Sequence, residues 1–192
     1  MAVADFDKGI AAYEANNLPL AYKEFLASAE EGHADSQFNV ALMYERGIGV
    51  AKNLEEAVVW YRKSALQGNS AAQFNLGVLY ENGFGTKVDF AKANEWYRKA
   101  SVQGDALAIG NLGMLYLRGQ GVKENKVAGL ALLLVSATRD SSPENHAKRN
   151  ISSTRGLNTE MIVAAQKLSA EMSSASDLLV PLDRFLKNTE KN

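Results

Sequence analysis

The chain repeats itself every 36 residues. The segment His33-Ala34-Asp35-Ser36-Gln37-Phe38-Asn39-Val40-Ala41-Leu42-Met43-Tyr44 returns as residues 69–80 and, with more changes, as residues 105–116. Gly32, Gly68 and Gly104 keep the interval, as do Asn39, Asn75 and Asn111, and Tyr44, Tyr80 and Tyr116. A period of this length marks stacked supersecondary units, none of which can bury its apolar face alone. The register predicts an all-α chain: a right-handed α/α solenoid of helix-turn-helix repeats with C-terminal capping helices. Such proteins act by offering an extended surface to a partner.

Each unit reads as two helices. In the middle copy the first runs from about Ser70 to Glu81, with Ala72, Leu76, Gly77 and Tyr80 at helical spacing on one buried face. Gly77, like Ala41 before it, has almost no side chain, so a neighbouring helix can come close. Asn82-Gly83-Phe84-Gly85 stops that helix, because glycine accepts the left-handed conformation that ends one. The second helix spans about Phe90 to Gln103, with Asp89 as its N-cap and Ala93, Trp96, Tyr97 and Ala100 as its apolar stripe. Residues 1–32 form a degenerate first repeat with a shorter loop between Tyr13 and Ala21. Regular repeats follow at 33–68 and 69–104, then a degenerate last one at 105–140, where Gly129, Leu132 and Leu133 replace the alanine, tryptophan and tyrosine of the earlier copies. Beyond Asp140 the register is lost. Pro143 suits a first helical turn, giving a helix to about Arg155 closed by Gly156. Asn158-Thr159 caps an amphipathic helix to about Met172, with Ile162, Ala165, Leu168 and Met172 on one face. Ser173 to Ser176 breaks it, and a short apolar segment, Asp177 to Lys187, ends a 141–192 cap.

Composition removes several function classes. Lys+Arg number 21 against Asp+Glu 22, so no basic excess exists to neutralise phosphates and nucleic-acid binding is not expected. Cysteine is absent, which excludes disulfides and thiol catalysis, and two histidines, His33 and His146, make a zinc site improbable. Neither a metal nor a cofactor is expected. No apolar run approaches the roughly 18 residues of a membrane span. Ala2-Val3-Ala4 before Asp5 reads like the end of a cleaved leader, or else as an ordinary N-terminus. A periplasmic or secreted location is the expectation and a cytoplasmic one the alternative.

An alanine, then L-G-x-x-Y-x-x-G-x-G, then A-x-x-W-Y-x-K-A-x-x-x-G over 36 residues resembles the Sel-one-like repeat (SLR) family. The middle copy carries the pattern most fully, at Ala72, Leu76, Gly77, Tyr80, Gly83, Gly85, Ala93, Trp96, Tyr97, Lys99, Ala100 and Gly104. The likeness covers about 33–140 well and 5–32 loosely. It implies a tetratricopeptide-like fold, a bacterial origin and a role as adaptor, assembly factor or immunity protein. The motif residues are packing residues, so it brings no catalytic residue.

The expected function is a non-enzymatic interaction module binding a partner protein or peptide in a concave groove. By analogy with tetratricopeptide geometry, the first helices line it with Phe38, Leu42, Glu45 and Arg46, then Phe74, Val78, Glu81 and Asn82, then Met114, Leu117 and Arg118. Apolar anchors within a charged rim suit a docked helix or extended peptide. Asn39, Asn75 and Asn111 either grip a ligand backbone or bond across to the neighbouring hairpin, the latter leading. Trp60 and Trp96 read as inter-helix packing rather than sugar platforms. Gly47-Ile48-Gly49 and its copies read as turns, since a phosphate loop needs a preceding strand and a Gly-Lys-Ser/Thr end or a third glycine. The apolar tail from Leu178 to Leu186 either caps the solenoid or fills the groove until a partner displaces it. The rival class is a cell-wall-related enzyme or β-lactam-binding protein, for which the sequence offers no activated nucleophile.

Overall fold

In a computed structural model, which describes residues 6–189, the chain is an α-solenoid of helical repeats. Among the described residues there are α-helices and no strand. The expectation for Ala2 to Asp5 lies outside the described residues. The helices gather into two compact units, Met1–Asp89 and Phe90–Asn192, divided inside the middle repeat rather than at a repeat boundary.

The first unit holds α1 (Phe6–Glu14), α2 (Leu18–Glu30), α3 (Ala34–Arg46), α4 (Leu54–Leu66) and α5 (Ser70–Asn82), each packed on the next. Ala21, Ala41, Ala57 and Ala72 are fully buried and bring the helices close, while Phe25 and Tyr61 fill the space between them. The ends are set locally. Asn17, Asn53 and Asn69 accept hydrogen bonds from the backbone N–H three residues on, at 3.3, 3.1 and 2.9 Å. Gly47 and Gly83, in the left-handed conformation, close α3 and α5.

The second unit holds α6 (Phe90–Val102), α7 (Ala106–Arg118), α8 (Lys126–Arg139), α9 (Ala147–Ser153), α10 (Thr159–Ser174) and α11 (Leu179–Thr189). Helix α7 lies between α6 and α8, and α8 also carries α9 and α10. Gly129, at a position where earlier copies have Ala57 and Ala93, marks a tighter crossing rather than a decayed motif. A Cβ there would come within 2.7 Å of the Gly113 carbonyl oxygen, and one on Gly113 within 2.9 Å of the Gly129 oxygen. The backbones of α7 and α8 touch. Gly77 is likewise buried in α5.

Three expectations after Asp140 are corrected. Pro143 opens no helix; it lies in a turn, and α9 runs only from Ala147 to Ser153. The cause is Asn145, whose side-chain N–H groups bond the Ser136 carbonyl at 3.0 Å and the Asp140 carbonyl at 2.9 Å, holding the segment folded back on α8. Asn145 stands at the 36-residue register of Gln37 and Gln73, which bond the Ala29 and Ala65 carbonyls at 3.1 Å each. A side-chain bond to a carbonyl of the preceding second helix thus recurs at this register, with Ile109 interrupting it in the copy between. Helix α10 includes Ser173 and Ser174, because Ser174 Oγ bonds back to the Ala170 and Glu171 carbonyls; the break falls at Ala175. Ile162 is exposed, whereas Ala165, Leu168 and Met172 are buried as expected. Asn145→Ala should lower stability by about 1 kcal/mol, the net worth of a bond network of this kind. Thermal unfolding together with faster amide exchange in α9 checks this; unchanged protection there contradicts the anchoring role.

Candidate partner-binding site

In the first unit the candidate residues stand on α3 and α5. Phe38, Leu42 and Glu45 on α3 and Phe74, Val78 and Glu81 on α5 are half-buried, and Arg46 and Asn82 are exposed. Their spacing explains this. Positions 38, 42 and 45, and 74, 78 and 81, run along one face of each helix, beside the stripe that packs on α4. Phe38 meets the Tyr61 ring at 5.8 Å between centroids. Asn82 is partly used in its own helix end, its Nδ2 donating to the Val78 carbonyl at 2.9 Å.

Tyr61, 36 residues before Tyr97 of the apolar stripe, joins these two helices. Its hydroxyl donates to Glu45 Oε2 on α3 at 2.5 Å, and Asn75 on α5 bonds the same hydroxyl. The ring is fully buried on α4. Burial, and then the bond to Glu45, push its pKa far above the usual tyrosine value. The phenol thus stays neutral and holds the Glu45 carboxylate in place at the rim of the patch.

In the second unit Met114, Leu117 and Arg118 stand on α7. Met114 and Leu117 are half-buried and line a small cavity of about 180 Å³ with Lys126 and with Asn150, Ser153, Thr154 and Arg155 from the α9 segment. They therefore face their own chain more than an open groove. Arg118 is exposed. The apolar tail forms α11, which packs on α10, α6 and α8 and buries Leu178, Leu179 and Leu182. It lies against second helices, not along the row of first-helix candidates.

The asparagine ladder is structural in two of its three rungs. Asn111 Nδ2 donates to the Tyr97 hydroxyl at 3.1 Å, as Asn75 bonds Tyr61. Asn39 has Phe25 at the matching position, which offers no hydroxyl. Trp60 and Trp96 are packing residues, 7% exposed each, with Lys63 and Lys99 ammonium groups 3.6 and 4.1 Å from the ring centroids. Gly47, Gly49, Gly83, Gly85, Gly119 and Gly121 all have positive φ in turns. Glu55 and Glu56 open α4, where the helix dipole favours acids. His33 lies 3.9 Å from Glu31, and His146 precedes α9. Among the described residues no cluster of three or more His, Cys, Asp and Glu side chains is placed to hold a metal, and no helix is long and apolar enough to cross a membrane.

A second polar series recurs with the repeat. Tyr44, Tyr80 and Tyr116 hydroxyls each meet a side chain of the preceding second helix: the Tyr22 hydroxyl at 2.6 Å, Arg62 Nη2 at 2.5 Å and Arg98 Nη1 at 3.5 Å. Its mark in the sequence is the arginine at Arg62 and Arg98, which recurs inside Trp-Tyr-Arg-Lys.

A family model described as Sel1 repeat matches residues 34–69, 70–105 and 106–141, each one residue later than the register taken from the sequence. Among solved structures the chain is similar to a Sel1 repeat protein from Oxalobacter formigenes, with 30% identity and a TM-score of 0.69 over 85% of this chain and 72% of that one. It is also similar to a protective antigen present in uropathogenic Escherichia coli strains that displays an SLR fold, with 27% identity and a TM-score of 0.63. That match covers 90% of this chain and 41% of the antigen. No match was found among curated proteins.

Proposed function

Because the chain belongs to the Sel1 repeat family, whose members generally mediate protein–protein interaction, we propose that it is a non-enzymatic module holding a partner protein or peptide on its first-helix face. The observation that carries this reading is the recurring row of half-buried apolar side chains with charged neighbours, Phe38, Leu42, Phe74 and Val78 beside Glu45, Arg46 and Glu81. Apolar anchors that are already partly desolvated, ringed by polar groups, are how few residues come to dominate binding energy. The α3–α5 patch is the main contact, with Asn82 at its edge. On α7 of the second unit Arg118 is exposed, whereas Met114 and Leu117 face the α9 segment and stand outside this contact. The partner makes the protein either an adaptor or an inhibitor of the immunity type, with the periplasm or the exterior of a bacterial cell as the setting.

Affinity capture from the native host with mass spectrometry identifies the partner, and binding is then measured for surface variants. Phe74→Ser combined with Glu81→Lys should weaken binding by about 2 kcal/mol, roughly 30-fold. Lys99→Glu, on a second helix, should change it little. The reverse pattern removes the first-helix face as the interface.

A further inference from the structure

Arg98 on α6 receives a helix of its own chain. Its Nη2 donates to both carboxylate oxygens of Asp183 on α11, at 2.6 and 2.7 Å, and the Arg98 side chain is only 26% exposed. Beside Asp183, Leu182 is fully buried. One turn on, Leu186 lines a cavity of about 310 Å³ with Tyr116 and the loop residues Val122, Lys123, Glu124 and Asn125. An amphipathic helix with a carboxylate next to its apolar stripe is thus seated on an arginine–tyrosine pair, one charge-assisted contact fixing its register.

The same pair stands 36 residues earlier without such a helix. Arg62 on α4 donates to the Tyr80 hydroxyl and is itself exposed. Among the described residues no carboxylate lies within ion-pair reach of Arg62. Val59 and Leu66, one turn before and one turn after it on the same face of α4, are 44% and 69% exposed. Val88, in the loop that follows α5, is 53% exposed. At the matching positions of the second unit stand Glu95, Val102 and Glu124. The copy without a seated helix therefore presents more apolar surface than the copy that has one. Packing of the fold does not account for this, because these side chains face water. A guanidinium set among exposed apolar groups is complementary to a carboxylate set among apolar groups, which is what α11 presents to Arg98.

We propose that Arg62, Val59, Leu66 and Val88 form a second docking surface, distinct from the first-helix patch, that takes an amphipathic helix of a partner protein bearing an Asp or Glu next to its apolar stripe. Arg62 pairs with that carboxylate as Arg98 pairs with Asp183. Val59, Leu66 and Val88 take the apolar face.

The probe is a synthetic peptide of residues 178–189, titrated into the isotopically labelled full chain and followed by NMR. Saturable shifts in α4 and in the loop after α5 are expected. Arg62→Glu should weaken the peptide at least about tenfold, the scale of one charge-assisted contact. A peptide carrying Asp183→Lys should bind the Arg62→Glu chain more tightly than it binds the unaltered one, a result that loss of packing cannot produce. Arg62→Gln, which keeps a donor for Tyr80, serves if the glutamate variant unfolds, and should weaken the original peptide likewise. The proposal is overturned if the unaltered chain shows no saturable binding, or if binding is undiminished in both Arg62 variants. Shifts confined to Phe90–Asn192 overturn it too, since the peptide is then exchanging with the resident α11. Self-association of the full chain that Asp183→Ala abolishes makes a second copy the occupant and overturns it as well.

Discussion

Gly85→Ala is expected to destabilise the protein by about 3 kcal/mol, the sum of an overpacked contact and a left-handed backbone strain. Gly85 has φ 67°, and a Cβ there would overlap the Leu54 carbonyl and come 2.8 Å from the Glu55 backbone nitrogen. Those atoms belong to the start of α4, so the loop can relieve the overlap only by moving off a helix end. The same approach recurs where Gly49 meets Leu18 and Gly121 meets Phe90, always 31 residues back. Gly68→Ala is the matched control. Its φ is 95°, yet a Cβ there meets nothing within 4 Å, so it carries strain alone, roughly 1 kcal/mol. At roughly 2–4 °C per kcal/mol for a chain of this size, the two variants should melt several degrees apart. Equal melting temperatures would show that close approach of loop to helix contributes nothing.

Alkaline pH should destabilise the fold steeply, with Tyr61 as the main cause. Its phenol is fully buried between α3 and α5, and burial with the bond to Glu45 raises its folded pKa well above the ordinary value of 10.0. A raised folded pKa means that the stabilisation is complete below the unfolded pKa and is lost as pH climbs toward the folded one. Above the unfolded pKa the loss approaches about 1.4 kcal/mol per pH unit for one such group. Tyr22, raised by burial and its bond to Tyr44, and Tyr116, raised by burial against the opposing pull of Arg98, act in the same direction. Urea unfolding at pH 8, 10 and 12 measures the slope. Tyr61→Phe should lose roughly 1 kcal/mol at pH 8, where the hydroxyl bonds are missed, and show a shallower fall above pH 10. An unaltered slope in that variant assigns the alkaline sensitivity elsewhere.

The Tyr61 bridge shows where reading a sequence stops. Tyr61 and Tyr97 were visible as members of a helical stripe, and their depth followed from periodicity. That the Tyr61 hydroxyl would hold Glu45 on the preceding helix and bond Asn75 on the following one did not, because both partners are 14–16 residues away along the chain. The candidate residues on α3 and α5 were legible as a face, since a face is only a spacing. Met114 and Leu117 have the same spacing, yet α9 stands against them, and the loop that places α9 is tied down by Asn145 through bonds to Ser136 and Asp140.

The sequence by itself determined what local rules control. The 36-residue register, the pairing of helices within each repeat and the helix ends at Gly47, Gly83 and Gly119 depend on side chains within about one helical turn, and recur because the unit recurs. Tertiary structure alone decided what joins distant segments. Gly85 abuts α4 and not merely its own turn, Gly129 touches Gly113 across a helix crossing, and Asp183 finds Arg98 85 residues away. The last of these carries no trace in any period, because α11 lies outside the repeats. Its position follows from which apolar surface is left to cover and where a carboxylate can reach a guanidinium, and both depend on the packed arrangement of α6, α8 and α10.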